Sequence, residues 1–408
     1  MAGANEVPSA SGSWRAAKPG AHPDYAVTAL VLQGGGALGS YQAGVVEGLH
    51  EAGLLPNWVA GISIGALNAA VIAGNPPQER VAQLRGFWEH ICRQPWWPSA
   101  PQPVDGRQLA GALPDAWRTV VDSLEAARAL FEGQNGFFVP RPWYALGPAS
   151  AGPHTASFYD TRPLRDTLER FADFERINRP QELRVSVGAV NVRSGNFLYF
   201  DNTERTLRPE HFMASGALPP GFPAVEVDGE FYWDGGLVSN TPLQHVLDAE
   251  PRQDALIFQV DLWSAAGRLP RDLFEVAVRQ KDIQYSSRTR LVTDTLRTEQ
   301  RYRRLLHEAM DLVPEAQRDS DWFRHAQTLA CNARRNIIHL IYRDKPYESY
   351  AKDYQFGRLT LDEHWATGLA DLRATLAHPQ WLAKPPAEQP FVTHDLHRAQ
   401  ATAATGSA

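Results

Sequence analysis

An α/β architecture built on a mostly parallel central sheet is the fold class this sequence predicts, and three observations carry it. Ala26 to Leu32 is a nearly continuous apolar run of strand length, the pattern of a parallel strand buried on both faces. A glycine-rich turn, Gly34 to Ser40, leads from it into a segment with Ala43, Val46 and Leu49 at helical spacing, closed by Gly53 as a C-cap. A second apolar run, Trp58-Val59-Ala60, ends in Gly61-Ile62-Ser63-Ile64-Gly65 and opens a second helix-like stretch from Ala66 to Ala73. Two successive strand–helix units lay their strands side by side and pack helices on the sheet.

Composition sets the limits of function. The 408 residues are 43% hydrophobic and 21% charged, ordinary for a chain that buries a large core, and the length predicts two or three structural units. A net charge of −6 gives no reason to expect nucleic acid as a partner. Cys92 and Cys331 are too few and too far apart for a disulfide framework or a thiolate metal site, which favours a reducing compartment and a cytoplasmic location. Met1 to Pro8 shows neither a basic nor an apolar signal region, and no run approaches the ~18 apolar residues of a membrane span. Contact with a membrane or storage-granule surface is therefore expected to be peripheral.

Residues 1–24, rich in Ala, Ser, Gly and Pro, read as a flexible tail. The glycine loop that follows the first strand fits Gly-x-Gly-x-x-Gly through Gly34, Gly36 and Gly39, a dinucleotide fingerprint. That reading needs an acidic residue at the end of the second strand, and Gly-Ile-Ser-Ile-Gly stands there instead. A P-loop lacks its lysine before Ser40. An oxyanion hole of backbone N–H groups facing the serine remains, beside the plainer reading of a tight turn. Ser63 sits where a strand turns sharply into a helix, the place for a nucleophile, and Gly61 and Gly65 on either side let the hydroxyl project. The pentapeptide alone also fits a glycine-rich turn in which Ser63 caps the helix.

Val81, Leu84, Phe87 and Trp88 mark a helix from Arg80 to His90. Residues 95–157 lose regularity and read as an insertion, whose aromatics Trp96, Trp97, Trp117, Phe137, Phe138 and Trp143 either line an apolar pocket or pack the insertion down. A helix from Pro163 to Phe171, strands at Leu183 to Asn191 and Asn196 to Phe200, and a hairpin through Asp228-Gly229 follow. Its second arm, Glu230 to Trp233, runs into Asp234-Gly235-Gly236. A carboxylate there can point into a site at the sheet edge, although Asp-Gly is also the commonest turn dipeptide.

Gly34-Gly35-Gly36-Ala37-Leu38-Gly39, Gly61-Ile62-Ser63-Ile64-Gly65, Ala214-Ser215-Gly216-Ala217-Leu218-Pro219 and Asp234-Gly235-Gly236 occur in an order that resembles the patatin-like phospholipases. The resemblance covers about residues 26 to 262, with Asp254 to Asp261 as a late strand. It implies a three-layer α/β catalytic domain over residues 25–265. It also implies Ser63 as nucleophile, Asp234 as its base, and an oxyanion hole within Gly34, Gly35, Gly36 and Ala37, with no metal or cofactor. Many relatives carry Arg or Lys where this chain has Leu38, a change that a hole built from backbone survives.

The chemistry expected is acyl-serine hydrolysis of a lipid-like ester: phospholipid, neutral lipid, thioester or aliphatic polyester. Aspartate is too acidic in water to be an ideal base, so the site is expected to be partly dry. A histidine triad through His211, His245 or His339 is the lesser alternative. A non-catalytic acyl- or lipid-docking protein, or an acyltransferase using the same acyl-serine, are the competing functions.

Residues 266–383 read as a mainly helical C-terminal extension that resembles a domain of unknown function attached to some bacterial patatin-like proteins. Leu273 to Met310 forms one or two helices, a strand runs from Asn336 to Tyr342, and a helix lies near Leu361 to Leu376. The basic run from Arg279 to Arg304 is either a solvated face or a contact for an anionic surface. Residues 384–408 read as a disordered tail.

Overall fold

The computed structural model describes residues 24–92, 115–142, 152–286, 289–345, 348 and 351–396. In chain order the first half runs β1 (Val27–Leu32), α1 (Gly39–Glu51), β2 (Trp58–Gly61), α2 (Ile64–Ala73), α3 (Arg80–Ile91), α4 (Asp115–Glu132), β3 (Val139–Pro140), β4 (Tyr159–Asp160), α5 (Arg162–Phe171), α6 (Phe174–Ile177), β5 (Arg184–Asn191) and β6 (Phe197–Asp201). The second half runs α7 (Pro209–Ser215), β7 (Val225–Val227), β8 (Glu230–Asp234), α8 (Leu243–Asp248), β9 (Ala255–Asp261), α9 (Leu273–Tyr285), α10 (Thr289–Asp311), α11 (Asp321–Leu329), β10 (Arg335–Ile341), α12 (Arg358–Leu376) and β11 (Phe391–Asp395).

All six residues of β1 are buried, as its unbroken apolar run requires, and it lies between β9 and β2 with both pairings parallel. The sheet order is β11-β10-β9-β1-β2-β5-β8-β7, with β6 on the other edge of β5. Alternation along the strands builds two cores. Leu30, Leu32, Val59, Phe258 and Ile338 pack with α1, α2 and α3 in one cluster. Ala29, Val31, Ala60, Ile257 and Ile337 pack with Leu243, Val246 and Leu247 of α8 and Leu296 of α10 in the other. Helices therefore cover both faces of the sheet.

The pairings of β5 are what bring the two halves of the site together. β2 runs parallel to β5 and stops at Gly61, opposite Val187. β8 comes from the other direction and stops at Asp234, opposite Ala189. Because β6 occupies the other edge over Ser186 to Val190, β2 and β8 share one edge of β5 and meet end to end across Gly188. A strand rises about 3.3 Å per residue, so the two chain ends stand about 7 Å apart along β5.

The C-terminal region is mainly helical, as expected, and it also adds two strands to the sheet. β10 pairs in parallel with β9 over the whole of its length, and β11 pairs with β10, so both belong to the same sheet. β11 also lies inside the stretch expected to be disordered. The exposed edge of β10 supplies a hydrogen-bonding ladder that composition alone does not reveal. α12 packs on α1 at glycine contacts: a Cβ on Gly44 would stand 2.0 Å from the Trp365 carbonyl oxygen, and one on Gly368 would stand 2.0 Å from that of Tyr41. Residues 1–23 and 397–408 of the two tails, and 93–114 and 143–151 of the insertion, lie outside the described residues. No helix among the described residues is long and apolar enough to cross a membrane.

Candidate active site

Ser63 is the N-cap of α2 and has φ 54° and ψ −124°, a backbone conformation that a residue with a Cβ adopts only when its surroundings impose it. Tight contacts on both sides supply the constraint. A Cβ on Gly61 would lie 2.3 Å from the Gly65 carbonyl oxygen, and one on Gly65 would lie 2.4 Å from that of Leu32. The Ser63 amide donates to Ser215 Oγ at 3.1 Å. Asp234, the last residue of β8, is 2% exposed; its amide donates to the Ala217 carbonyl at 3.0 Å, and its Oδ1 accepts from the Gly236 amide at 2.7 Å. The segment Ala214 to Leu218 thus ties the backbones of Ser63 and Asp234 to one support, a role that its sequence did not disclose.

The Ser63 hydroxyl is close enough to the Asp234 carboxyl to favour its charged form. Burial is the main influence on the Asp234 carboxyl and pushes it from 3.8 up to about 7, against the opposing pull of the Gly236 amide and the Ser63 hydroxyl. Both residues open onto a pocket of about 680 Å³ whose described lining contains no Lys, Arg or His. Its walls are mostly apolar and include the aromatics Phe137, Phe138, Phe222, Trp263, Tyr285 and Phe356. Of the insertion aromatics, Phe137 and Phe138 line the pocket, whereas Trp96, Trp97 and Trp143, with the side chain of Trp117, lie outside the described residues.

The glycine loop stands against the elbow, since a Cβ on Gly34 would come within 2.9 Å of Ser63 Cβ. Gly34, Gly35 and Gly36 line the pocket; Ala37 does not. One of the expected oxyanion donors is already in use, because the Gly34 amide donates to the Asn240 carbonyl at 3.3 Å. Asn240 also donates through Nδ2 to the Gly34 carbonyl at 3.1 Å, so it holds Gly34 on both sides. Gln33, fully buried at the end of β1, accepts from the amides of Leu262 (2.6 Å) and Trp263 (3.0 Å) and donates to Thr241 Oγ1 (2.9 Å). These residues were missed at the sequence level; a polar amide closing an apolar run, as Gln33 does, was the one local sign.

The three histidines weighed for a triad are engaged elsewhere. His211 Nδ1 accepts from the Arg208 amide at 2.9 Å, His245 stacks on Tyr199, and His339 Nε2 lies 2.7 Å from Asp261 Oδ2.

A family model described as patatin-like phospholipase matches residues 30–247, and a second, described as patatin phospholipase, matches residues 283–388. Triacylglycerol lipase ptl3 of Schizosaccharomyces pombe is 43% identical over 60 residues, 15% of this chain and 12% of that protein. Triacylglycerol lipase SDP1L of Arabidopsis thaliana is 41% identical over 67 residues, 16% of this chain and 8% of that protein. The matched stretches are therefore a small part of both relatives. Among solved structures, VipD from Legionella pneumophila aligns over 93% of this chain and 74% of its own at 14% identity and a TM-score of 0.35. The first family model takes in the glycine loop, the elbow and the Asp-Gly-Gly turn and spans more than half of the residues, so the chain belongs to the patatin-like phospholipase family.

Proposed function

We propose that this protein is a serine acyl hydrolase that cleaves lipid esters through Ser63 and Asp234. The observation that carries the reading is a serine in a strained elbow that shares one pocket with a dry aspartate whose carboxyl is raised to about 7. A base is most effective when its pKa lies near the working pH, and burial moves Asp234 there without help from a histidine. Asp234 takes the proton of Ser63 Oγ as that oxygen attacks the ester carbonyl. The developing oxyanion is received by loop amides of Gly35 and Gly36. Collapse expels the alcohol, which recovers the proton, and leaves an acyl-serine. Water, deprotonated by Asp234, then releases the fatty acid and restores Ser63.

The aromatic pocket suits an acyl chain, and the family name together with the relatives named as triacylglycerol lipases supports a lipid ester as substrate, phospholipid or neutral. The test is fluorophosphonate labelling of the full chain, read by intact mass and peptide mapping beside hydrolysis of a soluble ester. One adduct on Ser63, suppressed in Ser63→Ala and Asp234→Asn, is the expected result. Absence of both adduct and turnover in folded wild-type protein would overturn the reading.

A further inference from the structure

Part of the pocket wall comes from beyond β8, as Trp263, Tyr285, Asp353, Tyr354 and Phe356, and this wall holds the glycine loop at two points. Trp263 Nε1 donates to the Gly34 carbonyl at 2.8 Å. Gly36, at φ +56°, presses on the short 3-10 turn Lys352–Tyr354, so that a Cβ on it would stand 2.3 Å from the Asp353 carbonyl oxygen. The backbone of the turn is thus a hard stop behind the loop.

The turn is itself fixed by ions. Lys281 Nζ of α9 lies 2.5 Å from Asp353 Oδ1. Lys352 Nζ, on a side chain 1% exposed, lies 2.7 Å from both Asp282 Oδ1 and Asp344 Oδ1. The two ammonium groups also stand over the Trp263 ring, 5.6 and 4.9 Å from its centre. Buried ion pairs are a poor source of stability compared with apolar packing, but they hold parts in register because a displaced charge loses its partner. Here the parts in register are Asp353 and Trp263, two of the residues that touch the loop. The loop contributes no charge of its own, since Gly34 to Gly39 consists of glycine, alanine and leucine alone.

We infer that the Lys352–Tyr354 turn, pinned by Lys281 and Lys352, is a positioning element for the oxyanion loop, so that the region after β9 acts on the reaction itself. This inference rests on the hydrolase reading above. Its residues touch no reacting atom; they act through the placement of Gly35 and Gly36. A misplacement of about 1 Å at a reacting centre costs on the order of a hundredfold in rate, and loss of an oxyanion donor costs about as much or more.

The test compares wild type, Lys281→Met, Lys281→Arg, Asp353→Asn and Lys352→Met on a soluble short-chain nitrophenyl ester, with kcat expressed per site titrated by fluorophosphonate. Lys281→Met and Asp353→Asn are expected to lower kcat per titrated site at least tenfold while KM stays within about twofold, with Lys281→Arg recovering most of the loss. A merely structural role predicts fewer titratable sites with unchanged kcat per site, and that result overturns the proposal, as does a change confined to KM. If Lys352→Met fails to fold, Asp353→Asn, which keeps the side-chain volume, carries the test. Wild type without turnover or adduct strikes at the hydrolase reading; active wild type with unaffected variants strikes at the positioning role alone.

Discussion

Asp201 and Asp234 end two of the strands that flank β5, one on each edge, and both are nearly inaccessible at 1% and 2% exposure. Burial pushes each carboxyl upward, but the outcomes are opposite. Around Asp201 that push is overcome by His245, whose Nε2 is 3.6 Å away, by Arg184 Nε at 2.9 Å, and by the hydroxyls of Ser186 and Thr203 at 2.6 Å, so it is held well below the usual carboxylate range. Around Asp234 only the Gly236 amide and the Ser63 hydroxyl oppose burial, and the carboxyl rises to about 7. A dry aspartate is a fixed charge or an exchangeable proton site according to whether a cation is supplied with it. The first serves the sheet, and the second is the one to which we assign the chemistry.

The sharpest way to break this contrast is by activity. Asp234→Asn and Ser63→Ala are each expected to lower ester hydrolysis by about a thousandfold or more, whereas Asp201→Asn leaves kcat per titrated site within about threefold. Stability should show the reverse. Asp201→Ala leaves Arg184 without its carboxylate and is expected to cost about 3 kcal/mol in urea unfolding, a loss that Asp234→Asn does not reproduce.

The pH dependence sharpens the comparison further. As a base Asp234 must be ionised, so kcat/KM is expected to rise about tenfold per pH unit below about 6 and level off above about 8, a single ascending limb centred near 7. The smallest effect is on stability. The folded value of Asp234 lies above its ordinary 3.8, so the stability it contributes is fully present below 3.8 and is lost as pH rises through about 7. Asp234→Asn removes that decline, and its Tm advantage over wild type should grow by about 2 °C or more between pH 5 and pH 8 in thermal scans. Asp201 has the opposite sign: its contribution is present above 3.8 and is lost as pH falls through its depressed folded value.

The backbone part of the site was legible because it is local. Gly34 to Gly39, Gly61 to Gly65 and Asp234 to Gly236 each carry their geometry within a few residues, and the strands around them announce themselves as apolar runs. What was not legible depends on partners far along the chain. The amides that Gln33 accepts lie 229 and 230 residues away, and the Gly34 carbonyl that Asn240 holds lies 206 away. α9 shows the same limit. The basic run was read as a face toward solvent or an anionic surface, but Lys281 pairs with Asp353, and Arg279 donates to the Ser264 and Ala265 carbonyls. Leu273, Val276 and Ile283 of the same helix are exposed instead. Charge goes to water only when the protein offers nothing better, and periodicity does not reveal what lies opposite a helix. Arg303 and Arg304, further along the run, pair with Glu299 and Glu308 on their own helix. The strand expected at Asn336 to Tyr342 lies within one residue of β10 at each end, but its place beside β9, and β11 beyond it, are tertiary facts.

The end-to-end meeting of β2 and β8 along β5 also bears on how such a protein can diverge. The gap between the strand ends that carry Ser63 and Asp234 is measured out by one strand, with Gly188 as its midpoint, and not by any loop between those two residues. The segment between α3 and β4 can therefore lengthen, shorten or change its aromatics from one descendant to another without altering that gap. The pocket wall is free to drift while that gap stays put, and Gly188, which does not line the pocket and where a Cβ would stand 2.4 Å from Ile62 Cδ1, is a position where drift would be felt at once.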